Sequence, residues 1–350
     1  MEINFDTEIA SHKAQLQALQ KPSGLFTASA HTVGTGYDKA WLRDNYFMTL
    51  GFLETGDTEP VRQTAKALLS IFVKHAQKIN WAIANKPHQT WQYIHARFNP
   101  ETFEEYWEEW GNSQNDAVGE VLNILVELEI RGHSVIETDT ERVIVQKVVD
   151  YLIALEYWHD PDNGIWEENM EVHASSIGSC VAALQKAQQV SWLEVPNEAI
   201  ELGEQALRKL LPRESSSKFA DLALLSLVYP FAVTTEAETL EILRNVEYHL
   251  TKDKGVIRYK LDRYYNQNQD GYSEEAEWCF GLAWLAIIYA ERGQKDRAWH
   301  YLERAKATVT KDGQIPELYF SHTDVPNDNT PLGWSESMYI VALQKVRALD

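Results

Sequence analysis

Trp278-Cys279-Phe280-Gly281-Leu282-Ala283-Trp284-Leu285-Ala286-Ile287-Ile288-Tyr289-Ala290, followed by Glu291-Arg292-Gly293-Gln294-Lys295, decides the fold class. The first part is small and apolar nearly all round, as a helix inside an assembly should be. Arg292-Gly293 closes it with a cation and then a C′ glycine. After the short link Gly293-Gln294-Lys295 comes 295–309, an amphipathic helix with charges on one face, as an outward helix should have. Inner helix, short turn, outer helix is the unit that the rest of the chain repeats.

Segments with a 3.6-residue period number about twelve, at roughly 2–20, 39–55, 59–80, 113–131, 139–158, 174–190, 196–211, 218–230, 235–251, 274–293, 295–309 and 332–349. No stretch reads as a set of paired strands. The fifth helix puts Val145, Val148, Val149 and Leu152 on one face, and the seventh does so with Ala199, Leu202, Ala206 and Leu210. Thr138 with Glu141 and Thr235 with Glu238 have capping-box spacing, and Arg131-Gly132 is a stop signal. Even-numbered helices, such as Ser175 to Ala187, are rich in small and apolar residues; odd-numbered ones, such as 59–80, are amphipathic. The expected fold is therefore all-α: an (α/α)6 toroid of six hairpins. No Pro/Gly/Ser linker divides it, and Glu214-Ser215-Ser216-Ser217-Lys218 reads as a turn before the eighth helix, so 1–350 is expected to be a single domain.

The links alternate as well. Those into odd helices, such as Gly56-Asp57-Thr58, are short or bland. Those into even helices, Tyr37 to Asp44, Trp107 to Asp116, Gly164 to Glu168, Gly255 to Tyr265 and Gln314 to Tyr319, hold nearly all the prominent Trp, Arg, Asp and Glu. In a toroid these links share one end of the barrel, where loops on a rigid scaffold usually hold function.

The formal net charge of -20, from 52 acidic and 32 basic residues, disfavours nucleic acid and anionic membrane surfaces as partners and leaves a neutral substrate compatible. The 12 Trp and 16 Tyr are many for 350 residues, and flat amphipathic rings line sugar sites as well as cores. With 44% hydrophobic residues and a mean hydropathy of -0.39, the composition is that of a soluble globular protein. Cys180 and Cys279 sit in apolar helical patterns and read as buried thiols. Met1-Glu2-Ile3-Asn4-Phe5-Asp6 has no basic start before an apolar run, and no apolar stretch approaches the ~20 residues of a membrane span. A cytoplasmic location is expected. No cluster of metal ligands stands out, so no metal and no cofactor is expected.

Two stretches carry the chemistry: Trp166-Glu167-Glu168 and Ile315-Pro316-Glu317-Leu318-Tyr319 each set a carboxylate among apolar and aromatic residues ahead of a helix. Paired carboxylates in contrasting surroundings cleave glycosidic bonds, one protonating the departing oxygen and one activating water. Glu167, held against tryptophan and partly out of water, would stay protonated as a general acid, with Glu168 binding substrate. Glu317, with Tyr319 close by and Asn327, Asn329 and Trp334 further on, would draw the proton from a water. Arg43 and Asp44 suit adjacent sugar hydroxyls and equally a helix-start ion pair. Trp107 and Trp110 bracket Glu108-Glu109 ahead of Gly111 to Asp116, which suits a carbohydrate subsite and also an N-capping cluster. Arg258 and Asp262, near Tyr264 and Tyr265, suit a subsite or a surface ion pair.

In order along the chain, Trp41-Leu42-Arg43-Asp44, Trp110-Gly111-Asn112-Ser113-Gln114-Asn115-Asp116, Trp166-Glu167-Glu168, His173-Ala174-Ser175-Ser176, Arg258-Tyr259-Lys260-Leu261-Asp262 and the position of Glu317 resemble glycoside hydrolase family 15, the glucoamylases and glucodextranases. Several segments, including Asn327 to Leu332, are still more similar to the glucoamylase-like domain of phosphorylase kinase α and β subunits. The resemblance implies an (α/α)6 barrel, an inverting reaction, Glu167 as acid and Glu317 as base. It implies that Arg43, Asp44, Trp110, Glu168 and Arg258 bind the terminal glucose. Gln114, Asp116, Trp166, Asp262 and Tyr319, from the same segments, complete the expected substrate-binding set. Asn112 stands where fungal glucoamylases place an arginine. The expected partner is an α-linked gluco-oligosaccharide or glucan, cleaved from its ends, with trehalose a further candidate substrate. The kinase subunits are regulatory, and their likeness implies the alternative of a protein that senses an oligosaccharide without cleaving it.

Overall fold

The protein is described by a computed structural model covering residues 3–30, 34–267 and 274–349. Met1 and Glu2, where the N-terminal reading and the first expected helix begin, lie outside the described residues. In chain order the helices are α1 (Phe5–Leu19), α2 (Leu42–Glu54), α3 (Thr58–Lys74), α4 (Ala76–Asn85), α5 (Asn115–Ile130), α6 (Asp139–Leu155), α7 (Ala174–Ala187), α8 (Asn197–Leu210), α9 (Glu236–Leu250), α10 (Phe280–Glu291), α11 (Lys295–Lys306) and α12 (Gly333–Arg347). A 3-10 segment, Leu222–Leu227, lies between α8 and α9.

Packing closes these elements into two rings. α2 packs on α5, α5 on α7, α7 on Leu222–Leu227, that segment on α10, α10 on α12, and α12 back on α2. Outside them, α1 backs α12, α3 backs α2, α6 backs α5, α8 backs α7, α9 backs Leu222–Leu227 and α11 backs α10. The architecture is the six-hairpin toroid expected from the alternation. Composition explains who goes inside: every residue from Leu42 to Phe52 and from Phe280 to Ala290 is buried, while α11 buries only Ala298, Tyr301, Leu302 and Ala305. Each aliphatic or aromatic side chain so buried contributes about 1.5–3 kcal/mol. Small residues let the inner helices touch: a Cβ on Gly119 of α5 would lie 2.6 Å from Ser179 Oγ of α7.

The expected helix ends are found. Thr138 and Glu141 form a reciprocal capping box on α6, as Thr235 and Glu238 do on α9. Gly132 and Gly293 adopt φ of 74° and 66° just beyond α5 and α10.

Four expectations change. The helix expected over 218–230 is the six-residue 3-10 segment: Asp221 caps it by accepting from Ala223 N, and Pro230, with no N–H, cannot continue it. The helix expected over 59–80 is two, α3 and α4, because His75 leaves helical geometry at φ -96°, ψ 21° while the apolar period runs on through Ile79 and Ala82. On α8 the buried face is Ala199, Ile200, Gly203 and Leu207, with Leu202, Ala206 and Leu210 only half-buried, since Gly203 lets Tyr157 in. Two pairs of short strands do exist: β1 (Ala40–Trp41) with β2 (Arg97–Phe98), and β3 (Glu277–Trp278) with β4 (Leu318–Tyr319), both antiparallel. Two residues per strand leave no alternation to read in a sequence.

Candidate active site

At the end of the barrel where the links enter α2, α5, α7, α10 and α12, a cavity of about 760 Å³ opens. All five links noted in the sequence reach it: Tyr37, Trp41, Arg43 and Asp44; Glu108 and Trp110; Ile165 to Glu168; Arg258, Tyr264 and Tyr265; and Glu317. Trp166, Trp278 and Trp334 give it an aromatic wall. Trp334 continues into the barrel axis, its ring 4.5 Å from Phe280 and 4.2 Å from Phe47.

Glu167 follows a tight turn. Its N–H donates to Gly164 O at 3.0 Å, Glu168 N–H donates to Asn163 O at 2.9 Å, and Glu167 itself takes φ of 60°, a left-handed conformation costing about 1 kcal/mol that the turn imposes. The sequence put Glu167 in an apolar tryptophan pocket, and the structure gives it polar partners. Oε1 accepts from Arg43 at 3.0 Å and Gln114 at 3.1 Å, and Oε2 from the Trp110 indole at 2.8 Å. The Trp166 indole instead donates to Asp221 at 2.8 Å. A carboxylate offers about four lone pairs, so one on Oε2 stays open.

Glu317 is buried, one residue ahead of β4. Oε1 accepts from the Tyr37 hydroxyl at 2.8 Å; Oε2 accepts from Asn327 at 2.5 Å and Asn329 at 2.7 Å. Burial raises its pKa above the ordinary glutamate range, against the pull of the Asn329, Tyr37 and Asn327 donors. By the same count one lone pair remains, on Oε1. Tyr37 pairs in turn with Tyr264 at 2.8 Å, and burial with the Glu317 charge keeps its phenol protonated as a donor.

Asp44 lines the cavity and, among the described residues, no other side chain hydrogen-bonds its carboxyl. Burial pushes it up to about 7, opposed by Arg43 and aided by Glu167 and Glu317. Glu168 is held by Arg258 at 3.0 Å, by the Tyr259 hydroxyl at 2.7 and 2.8 Å, and by Lys218 at 2.8 Å.

Of the expected residues, Glu167, Glu317, Arg43, Asp44, Trp110, Trp166, Glu168 and Arg258 line the cavity. Gln114, Asp116, Asp262 and Tyr319 do not. Gln114 and Asp116 stand behind Arg43, at 2.8 and 3.4 Å from its Nη1. Asp262 grips Arg258 through two bonds of 2.7 Å, and the Tyr319 hydroxyl turns away to donate to Thr308 O. Gln114, Asp116 and Asp262 thus support the wall by holding its two arginines from behind. Sequence reasoning missed Tyr37 as the partner of Glu317, Trp278, Arg97 and the clamp Glu214 to Lys218. That segment is more than a turn. Ser215, Ser216 and Ser217 donate to Glu171, Glu214 pairs with His173 at 3.4 Å, and Lys218 reaches Glu168. Burial would lower His173, but Glu214 and Asp162 raise it to about 9. Together they rivet the segment that carries Glu167 and Glu168. A serine run with flanking charges was the available signal.

The family model for glycosyl hydrolases family 15 matches residues 6–199. A probable phosphorylase b kinase regulatory subunit alpha of Caenorhabditis elegans is 26% identical over 373 residues, covering 86% of this chain. The skeletal muscle isoform of phosphorylase b kinase regulatory subunit alpha from Oryctolagus cuniculus is 24% identical over 377 residues, covering 87%. The chain spans about 30% of the length of these curated relatives. Among solved structures, a glycosidase variant in complex with glucose superposes with a TM-score of 0.83 at 20% identity, over 99% of this chain and 98% of that one. A bacterial glucoamylase complexed with acarbose gives 0.76 at 16% identity, over 99% and 56%. These structures share the toroid. The match over the greater part of the sequence assigns the chain: it belongs to glycosyl hydrolases family 15.

Proposed function

We propose that residues 1–350 act as one catalytic unit, an inverting glycosidase that releases glucose from the ends of α-glucans or maltooligosaccharides. The observation that carries this reading is that Glu167 and Glu317, from opposite halves of the chain, both line one sugar-sized cavity. In this mechanism the proton on Glu167 Oε2 passes to the glycosidic oxygen as its bond to the anomeric carbon breaks. Glu317 Oε1 takes a proton from a water that attacks that carbon from the opposite face, so the product is β-glucose. Asp44 accepts from hydroxyls of the terminal glucose, Arg43 and Arg258 donate beside it, and the tryptophan wall stacks on the ring. The free thiols of Cys180 and Cys279, both buried, suit a reducing cytoplasm. Among the described residues no helix is long and apolar enough to cross a membrane.

The test is purified protein with maltooligosaccharides and with trehalose, the product anomer followed by NMR. β-Glucose should appear first, and Glu167→Gln should lower the rate by about 10²–10⁴-fold. An α-product, or a mutant as fast as its parent, sinks the assignment.

The relatives favour a second reading, since those matched over most of this chain are named regulatory subunits. In it the same cavity binds a gluco-oligosaccharide and does not cleave it. Tight calorimetric binding with no glucose released selects this reading over the first.

A further inference from the structure

A buried ion pair stands behind the cavity wall and takes no part in lining it. His12, on the buried face of α1, and Glu336, in the first turn of α12, are 2% and 0% exposed, and His12 Nδ1 lies 2.5 Å from Glu336 Oε2. Taking both groups out of water costs more than one contact returns, unless their remaining atoms are used as well. They are. Glu336 Oε1 accepts from Ile315 N at 2.7 Å, and the carboxyl sits where the N-terminal end of α12 favours negative charge. His12 Nε2 faces Glu8 Oε2 at 3.6 Å, and Glu8 is held by Lys306 of α11 at 3.0 Å and by the Tyr339 hydroxyl of α12 at 3.5 Å. Burial raises the Glu336 pKa against the pull of His12 and of the Ile315 N–H.

What Glu336 grips is the stretch that delivers Glu317. Ile315 O accepts from Leu332 N at 2.9 Å, and Pro316 O accepts from Ser335 Oγ at 3.0 Å. With Ile315 N–H on Glu336, both residues ahead of Glu317 are fastened to the start of α12. Of these three grips, the one from Glu336 is braced by another element, through His12 on α1. A neutral side chain would be enough to satisfy one N–H. A buried charge pair anchored in a second helix also fixes where that N–H stands. Such fixing matters at a base that must meet a water at the anomeric carbon, where a misplacement of about 1 Å costs about two orders of magnitude in rate.

We propose that Glu336 and His12 are positioning residues for Glu317, holding its link at the depth in the cavity that the reaction needs. The inference rests on the glycosidase reading for its effect on rate, whereas the placement of Glu317 can be followed without turnover.

The full-chain parent is compared with His12→Leu/Glu336→Leu, with Glu336→Gln and, as a control for loosening elsewhere, with Gly203→Ala on α8. Apolar residues in place of a buried ion pair often leave stability unchanged or raise it, so the double variant should fold, with Ile315 N–H left unpaired. Glucose release from maltotetraose gives kcat and KM, and carbon NMR gives the titration midpoint of the Glu317 carboxyl. In the double variant kcat should fall by about 10- to 100-fold with KM near the parent's. The midpoint should move down toward the ordinary glutamate range, because a loosened link admits water to the carboxyl. Glu336→Gln keeps an acceptor for Ile315 N–H and offers a donor to His12 Nδ1, so both readings should stay close to the parent's. Gly203→Ala should move neither. A double variant with both readings at the parent's values overturns the proposal. So does Gly203→Ala moving them as far, or Glu336→Gln falling as far as the double variant. If the two leucines do not fold, Glu336→Met takes their place and is judged by the same readings. No glucose from the parent counts against the glycosidase reading, and the Glu317 midpoints then decide on the positioning.

Discussion

Asp44 has the most to lose by being where it is. Its carboxyl faces the cavity from the first turn of α2, buried, and burial outweighs the pull of Arg43 to push it up to about 7. An unfolded aspartate gives up its proton near 3.9, so between those values the folded chain holds the extra proton and stability falls as pH rises. Asp44→Asn removes that titration. The variant should melt higher than the parent at pH 8, by on the order of 2 kcal/mol, with the advantage fading toward pH 4. Thermal melts across that range check it; a difference that does not change with pH would mean the site does not titrate as its burial dictates. Such a cost is what a residue kept for ligand looks like. Residues of this sort were the legible ones: a Trp, Arg or Asp in a link has few reasons to be there, so Arg43, Asp44, Glu167 and Glu317 stood out. Tyr37 did not stand out as a partner of Glu317, because that contact joins distant segments with no local pattern in common, whereas Asn327 and Asn329 follow Glu317 in the same link.

Helices were legible where the apolar period and a cap agreed, as in α6 and α9, and illegible where tertiary packing chose between near-equal local states. The segment before Pro230 is one case, apolar enough for a helix of either kind. α8 is another. Its true face was hidden because the decisive residue, Gly203, has no side chain to enter the pattern. A Cβ there would lie 2.1 Å from the Tyr157 hydroxyl, which donates to Ala199 O at 2.9 Å. Gly203→Ala should therefore destabilise the protein by about 1–3 kcal/mol despite its better helix propensity. Adding Tyr157→Phe removes the nearest atom, so the double variant should lose less than the two single losses summed. Denaturant unfolding of the four proteins closes the cycle, and strict additivity would show that α8 does not dock through this pair.

The toroid itself could be read because its logic is periodic along the whole chain: inner and outer helices alternate, and so do rich and bland links. What no period encodes is how tightly the ring couples its parts. α12 closes on α2, and Glu336 in its first turn accepts from Ile315 N at 2.7 Å and pairs with buried His12 of α1 at 2.5 Å. The link carrying Glu317 is thus tied to both ends of the sequence. Five links from around the ring meet at the cavity, so a ligand there touches segments that are distant in sequence and rigidly joined in space. At a hundred times its Kd such a ligand adds about 2.7 kcal/mol to the stability of the folded state. With maltoheptaose at saturation, amide hydrogen exchange should slow together in the segments containing Asp44, Trp110, Glu167, Tyr264 and Glu317, while the outer faces of α8 and α11 change little. Protection confined to one of these links would mean that the sugar rests on a single loop and that the ring does not act as one frame around it.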